Sequence, residues 1–473
     1  MLSKSNPLGY QPIGKLLKNF AIPSVISMLA MAVYNIVDQI FIGQGIGYLG
    51  NAATTIAFPI MTISLSVAIL FGGGGAAYAA IRLGEKRTDL AEKALGNILI
   101  LLTLCGFLIT VLGLTFLQPL LRTFGATAAS MPYAKTYGSI ILMGTIFQLC
   151  SISLSHMCRT DGSPKFSMYT ILLGVMINFI LDPIYIFILG WGVAGAAIAT
   201  VESQLISTVL FLWYFSKKSK HIRLKRSALQ LDRSVCKNIV YLGISSFILQ
   251  VSVALLQVVM NNSLVHYGNL SPVGGDVALS AMGIILKLHM IILAFCVGIG
   301  IGAQPILGFN YGARQFKRVK KTYVLAACVA SIIASVGWLI CMLFPSQILS
   351  LFGDEHTTFN TFAVHAMRVF TAGIFCAGFQ VTASSYFQAT GQPQKAVILS
   401  LSRSVLALIP LILILPLFFG LEGILFAGPC ADLIAISIAG TLIFKELKHL
   451  KKRIKACPVE PCPEMIGTRQ ITL

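Results

Sequence analysis

Residues 71–87 read Phe71-Gly72-Gly73-Gly74-Gly75-Ala76-Ala77-Tyr78-Ala79-Ala80-Ile81-Arg82-Leu83-Gly84-Glu85-Lys86-Arg87, and residues 300–314 read Gly300-Ile301-Gly302-Ala303-Gln304-Pro305-Ile306-Leu307-Gly308-Phe309-Asn310-Tyr311-Gly312-Ala313-Arg314. Each stretch closes a long apolar run with glycines and then turns basic. Gly300, Gly302, Gly312 and Arg314 repeat Gly72, Gly74, Gly84 and Lys86 at an offset of about 228 residues. Gly162-Ser163-Pro164 returns as Gly391-Gln392-Pro393, and Gly192-Val193-Ala194-Gly195 as Gly420-Leu421-Glu422-Gly423. A nearly constant offset between these landmarks implies one unit used twice. The acidic residues inside the apolar runs concentrate in the first copy. That asymmetry suits two lobes that rock against each other while one holds a coupling ion.

Composition excludes a soluble enzyme. Apolar residues make up 56% of the 473-residue chain and charged ones 11%, with a mean hydropathy of +0.84. A soluble surface needs about 25% charged residues. Apolar runs fall near 17–42, 52–80, 94–117, 133–157, 166–188, 193–215, 236–265, 277–308, 322–343, 361–387, 396–418 and 424–444. Each is long enough to cross a hydrocarbon layer of about 30 Å. The expected fold is all-α: a polytopic membrane protein of twelve transmembrane helices in two six-helix lobes.

The formal charge of +19 is topological rather than a nucleic-acid footprint. All but four of the 35 Lys and Arg (the exceptions are Arg122, Lys135, Lys287 and Arg368) fall in the N-terminus, the even-to-odd connections or the C-terminus. Those connections include Lys217–Arg233, Arg314–Lys321 and Lys395–Arg403. The asymmetry places both termini in the cytoplasm, with the basic loops against anionic lipid. The first apolar run is too long for a cleavable signal peptide. The eleven cysteines lie mostly inside runs as small buried groups. Cys457 and Cys462 fall in a polar tail and lack the histidines that would complete a metal shell, so no metal site is expected.

Residues 1–16 form an amphipathic lead. The first lobe is expected over 1–215, a cytoplasmic linker over 216–235, the second lobe over 236–445 and a flexible tail over 446–473. Most prolines and glycines inside the helices read as close packing. Pro23 and Pro183 are the strongest hinge candidates. Gly9-Tyr10-Gln11-Pro12-Ile13-Gly14-Lys15 resembles a phosphate loop, but Leu16 stands where Ser or Thr would ligate magnesium and no strand precedes it. No nucleotide is expected.

Carboxylates inside the spans are the informative residues, because an ionisable group at mid-membrane costs several kcal/mol. Asp38 shares a helix face with Tyr34 and Asn35, beside Gln39. Asp182 has Asn178 one turn before it and Tyr185 one turn after, with Pro183 between. Two carboxylates facing each other in one bundle can share a proton. With Asn35, Asn178 and Thr200 the same oxygens can hold sodium. Glu202, two residues past Thr200, points to another helix face and approaches water. Asp432 in the last span reads as structural or peripheral. Lys287, mid-span with His289 nearby, needs a partner if buried and otherwise lines an aqueous cavity.

The pattern Tyr34-Asn35-x-x-Asp38-x-x-Phe41-Ile42-Gly43 resembles the multidrug and toxic compound extrusion (MATE) family. So do Arg159-Thr160-Asp161-Gly162 and Gln304-Pro305-Ile306-x-Gly308-x-Asn310-x-Gly312-Ala313, and the MepA-like bacterial branch is the most similar. The resemblance spans about residues 15–445. It implies a V-shaped pair of lobes in a bacterial plasma membrane that export drugs and toxins, often cationic amphiphiles, in exchange for H+ or Na+. It implies no bound cofactor and a monomer. The family's coupling roles map onto Asp38, Asn178, Asp182 and Thr200. The seventh and tenth spans offer Gln250, Gln257, Gln380 and Gln388 where other branches carry carboxylates, which argues against a second-lobe ion site. A lipid or lipid-linked oligosaccharide flippase would need several cavity cations. A membrane-embedded enzyme would need a catalytic constellation such as HExxH or a Ser–His pair. The sequence offers neither.

Overall fold

The computed structural model describes residues 6–456 apart from 47, 125, 127–129 and 351–356. Twelve of its helices are long and apolar enough to cross a membrane. In the first lobe they are span 1 (Ile13–Ile46), span 2 (Ala53–Gly84), span 3 (Thr88–Thr115), span 4 (Met131–Thr160), span 5 (Pro164–Ile188) and span 6 (Gly192–Lys218). In the second lobe they are span 7 (Arg233–Asn269), span 8 (Val277–Gly312), span 9 (Phe316–Leu343), span 10 (Asn360–Ala389), span 11 (Pro393–Phe419) and span 12 (Leu421–Ile454). Large apolar side chains such as Phe107, Leu108, Leu417 and Phe418 stand exposed on outer faces. Lipid is the solvent that suits such a surface.

The duplication is written in the backbone. Lys86 and Arg314 adopt positive φ of 63° and 58°, at matching places in the turns after spans 2 and 8. A side chain rarely accepts that geometry. Two instances at the same offset mark one turn used twice. The glycine pairs follow suit, with φ of 86° and 77° at Gly162 and Gly391, and 55° and 57° at Gly192 and Gly420.

The lobes meet through glycine faces at the end of the bundle that carries the termini of spans 1 and 12. A Cβ on Gly74 would collide with the Ile239 carbonyl, and one on Gly243 with the Leu70 carbonyl. Spans 2 and 7 therefore touch backbone to backbone. Spans 1 and 8 do likewise, with Gly298 against Val25 and Gly302 against Ala21. Toward the opposite end the same helices open: a Cβ on Gly283 would meet nothing within 4 Å, and Lys287 and Met290 are exposed. This loss of neighbours along span 8 points to a cleft between the lobes that opens away from the N-terminus of span 1.

Irregular segments interrupt the spans. Span 5 passes beyond Pro183 into a π-helix, Ile184–Ile188, and span 11 contains another, Ser402–Leu408. Span 1 by contrast runs through Pro23 as an unbroken helix.

Three sequence expectations change. Helix continues through Lys218 and resumes at Arg233, so the connection between lobes is shorter than 216–235. The last helix runs to Ala456 rather than giving way to a flexible tail at 446. Glu446 anchors it, accepting from Gln392 at 2.8 Å and Lys395 at 2.8 Å. Cys457 and Cys462 lie outside the described residues. Arg403, counted among the loop positives, sits inside span 11.

The N-terminal lead is a short helix, Pro7–Tyr10, clasped to the second lobe. The Leu8 carbonyl accepts from Asn310 Nδ2 at 3.0 Å and from Arg318 Nη2 at 3.1 Å.

Candidate functional site

Spans 1, 5 and 6 bring Asp38, Asn178, Asp182 and Thr200 into one buried cluster. The Asn178 amide donates to Asp182 Oδ1 at 3.2 Å, which the one-turn spacing on span 5 makes possible. The Asp38 carboxyl lies within hydrogen-bonding reach of Asp182. One turn before Asp38, the Tyr34 hydroxyl stands 3.0 Å from Thr200 Oγ1 and joins span 1 to span 6.

The cluster is rich in acceptors and short of donors. Asp38 Oδ1, Asp182 Oδ2 and Asn178 Oδ1 are all buried with no hydrogen-bond partner among the described residues. Buried polar atoms are nearly always paired, and each orphan costs about 1–3 kcal/mol. Orphaned oxygens of this kind are satisfied by a bound proton or by a hard cation that takes oxygen ligands. Tyr137 of span 4 is buried in the same lobe, where its hydroxyl donates to Met61 Sδ at 3.9 Å. Nothing in its sequence neighbourhood flagged it, because span 4 supplies no acidic partner one turn away.

Other expected members go elsewhere. Asn35 is exposed and its amide donates to its own helix at Met31 O, 2.7 Å away. Gln39 is exposed. Tyr185 leaves the Asp182 face. It lies in the π-helix after Pro183 and donates to Glu202 Oε2 at 2.9 Å, with its ring 5.0 Å from Trp191. Glu202 is half-buried in that separate pair. Lys287 is exposed, and His289, expected close to it, is buried on the opposite face of span 8.

His289 belongs to a buried group within the second lobe. Arg403 Nε donates to Asp432 Oδ1 at 2.5 Å, and Arg403 Nη2 lies 3.4 Å from His289 Nε2. A Cβ on Gly373 would fall 2.6 Å from Asp432 Oδ2. The group thus ties spans 8, 10, 11 and 12 together, at the π-helix of span 11 and beside the short 3-10 turn Ile374–Cys376 of span 10. Gln380 donates to Leu399 O, while Gln304 donates to Gln388.

The MatE family model matches residues 23–184 and 245–414, most of both lobes. The chain belongs to the MatE family. It is 26% identical over 436 residues to the multidrug export protein MepA of Staphylococcus haemolyticus strain JCSC1435, covering 91% of this chain and 93% of that protein. The MepA of Staphylococcus aureus strain N315 is 25% identical over 446 residues, covering 92% and 94%. Among solved structures, the MATE multidrug transporter DinF-BH, solved in complex with a ligand, has 36% identity and a TM-score of 0.86, covering 94% of this chain and 98% of that one. An outward-facing MATE transporter of the MOP superfamily shares the fold, with a TM-score of 0.88 at 23% identity over 96% of this chain and 100% of that one. Within the MatE family frame, Asp38, Asn178 and Asp182 belong to the first matched segment, with Thr200 beyond its end, and Arg403 belongs to the second, with Asp432 beyond its end.

Proposed function

We propose that this chain is a multidrug antiporter that exports amphiphilic, often cationic compounds in exchange for a proton or a sodium ion. The observation that carries the reading is the set of three unpaired buried oxygens on Asp38, Asp182 and Asn178. A cluster of unpaired acceptors in a low-dielectric bundle creates a demand for positive charge. Its place in the lobe that forms one wall of the cleft lets an ion and a drug compete for the same conformational state.

The termini of spans 1 and 12 lie at the cytoplasmic end, by the distribution of basic residues. The cleft then faces outward. In the cycle, a cation from outside binds Asp38 and Asp182, the drug leaves the cleft, and the lobes rock to open inward. Binding shifts that equilibrium only by the cation's differential affinity for the two states. The Tyr34–Thr200 bond links span 1 to span 6 beside the carboxyls, so filling the cluster repositions span 1. The multidrug exporters MepA and the multidrug transporter DinF-BH support the substrate class.

The test is ethidium efflux from liposomes holding the purified protein, with a pH gradient and a sodium gradient imposed separately. Efflux driven by one of the two is expected. Efflux indifferent to both would contradict the antiport reading.

A further inference from the structure

Lys287 occupies a defined place in the cleft. Gly298 and Gly302 mark the face of span 8 that rests on span 1. Lys287 lies about three turns before Gly298 and about four before Gly302 on the same unbroken helix, so it projects from that same face. There the side chain is exposed beside Gly283, whose missing Cβ would meet nothing within 4 Å. The antiparallel register of Val25 on Gly298 and Ala21 on Gly302 puts Lys287 level with the turn of span 1 that carries Asn35 and Asp38. No carboxylate among the described residues pairs with it.

A mid-span ammonium without a partner is expensive in hydrocarbon and tolerable in a wet cleft. We propose that Lys287 reads an anionic group on the cargo, so that the cleft takes amphiphiles bearing a carboxylate as well as a cationic centre. The inference rests on the antiport reading and deepens it. The cationic part of the cargo faces the wall that carries Asn35, Gln39 and, behind them, the acidic cluster. Its carboxylate meets Lys287 across the cleft. A dipolar cleft of this kind selects by the spacing of opposite charges as well as by greasiness, since charge-assisted contacts add to apolar burial.

The experiment compares rhodamine B, a zwitterion at neutral pH, with its ethyl ester, the same cation without the carboxylate. Fluorescence polarisation with the purified protein in neutral detergent reads both dissociation constants. The wild type is expected to prefer rhodamine B by about fivefold or more, a preference that falls with added salt while ester binding holds. Lys287→Gln abolishes the preference, with ester binding by the same variant as the internal reference, and Lys287→Arg retains it. Equal binding of the two dyes by the wild type, or a preference that survives in Lys287→Gln, overturns the proposal. The salt series on the wild type shows that the preference is ionic, and the variants assign it to Lys287. Gradient-driven efflux of the ester is measured in parallel: its absence counts against the antiport reading and leaves the binding comparison intact.

Discussion

The hydroxyls of Tyr34 and Thr200, 166 residues apart in the chain, stand 3.0 Å from one another and tie span 1 to span 6 one turn from Asp38. Such a bond contributes about 1 kcal/mol net. Tyr34→Phe and Thr200→Val should each lower thermal stability slightly, and the double variant should fall short of their sum by about 1 kcal/mol. Strict additivity would show that the two hydroxyls do not act together.

Asp432 fits the structural of its two readings. It neutralises the half-buried guanidinium of Arg403 between spans 11 and 12, with the Asp432 side chain 3% exposed and the Arg403 side chain 16% exposed. Removing one partner of such a pair typically costs about 3–5 kcal/mol, whereas replacing both by apolar groups is often neutral. Asp432→Asn should therefore sharply lower the melting temperature of the purified protein, and Arg403→Met with Asp432→Leu should recover most of it. A wild-type melting temperature for Asp432→Asn would refute the pairing.

The start of the connection between lobes is pinned by Asp161. Asp161 accepts from Tyr214 Oη at 2.6 Å and from the backbone N–H groups of Lys220, His221 and Ile222, each at 2.7 Å. Asp161→Ala should free that strand of chain and speed tryptic cleavage after Lys220, Arg223 or Lys225 by on the order of tenfold, since local opening sets cleavage rates. An unchanged digestion rate would argue that other contacts hold the linker.

Cleft accessibility gives a fourth expectation. In a cysteine-free background, Gly283→Cys should react with a membrane-impermeant maleimide added to intact cells, whereas the buried Ala303→Cys on the same helix should not. Arg223→Cys should react only after permeabilisation. The reverse pattern would invert the orientation read from the basic residues.

The twelve spans and the acidic cluster were legible because both rest on local signals. Length and apolarity mark each span, and a one-turn spacing puts Asn178 on Asp182. What was not legible depends on how elements twist and meet. Tyr185 shares a nominal face with Asp182, but the π-helix after Pro183 sends it to Glu202. Arg403 read as a loop positive because apolar runs do not reveal a partner 29 residues away on the next span. Tyr137 was silent for the same reason, since its neighbours come from other spans.

The central claim is that the first-lobe carboxylates couple ion entry to drug exit. Asp38→Asn and Asp182→Asn keep the shape of the cluster and remove its charge. The decisive measurement is gradient-driven ethidium efflux from liposomes by each variant, alongside its melting temperature. The account predicts a wild-type melting temperature with efflux reduced by on the order of tenfold or more. Full gradient-driven efflux by a folded Asp38→Asn protein would contradict it.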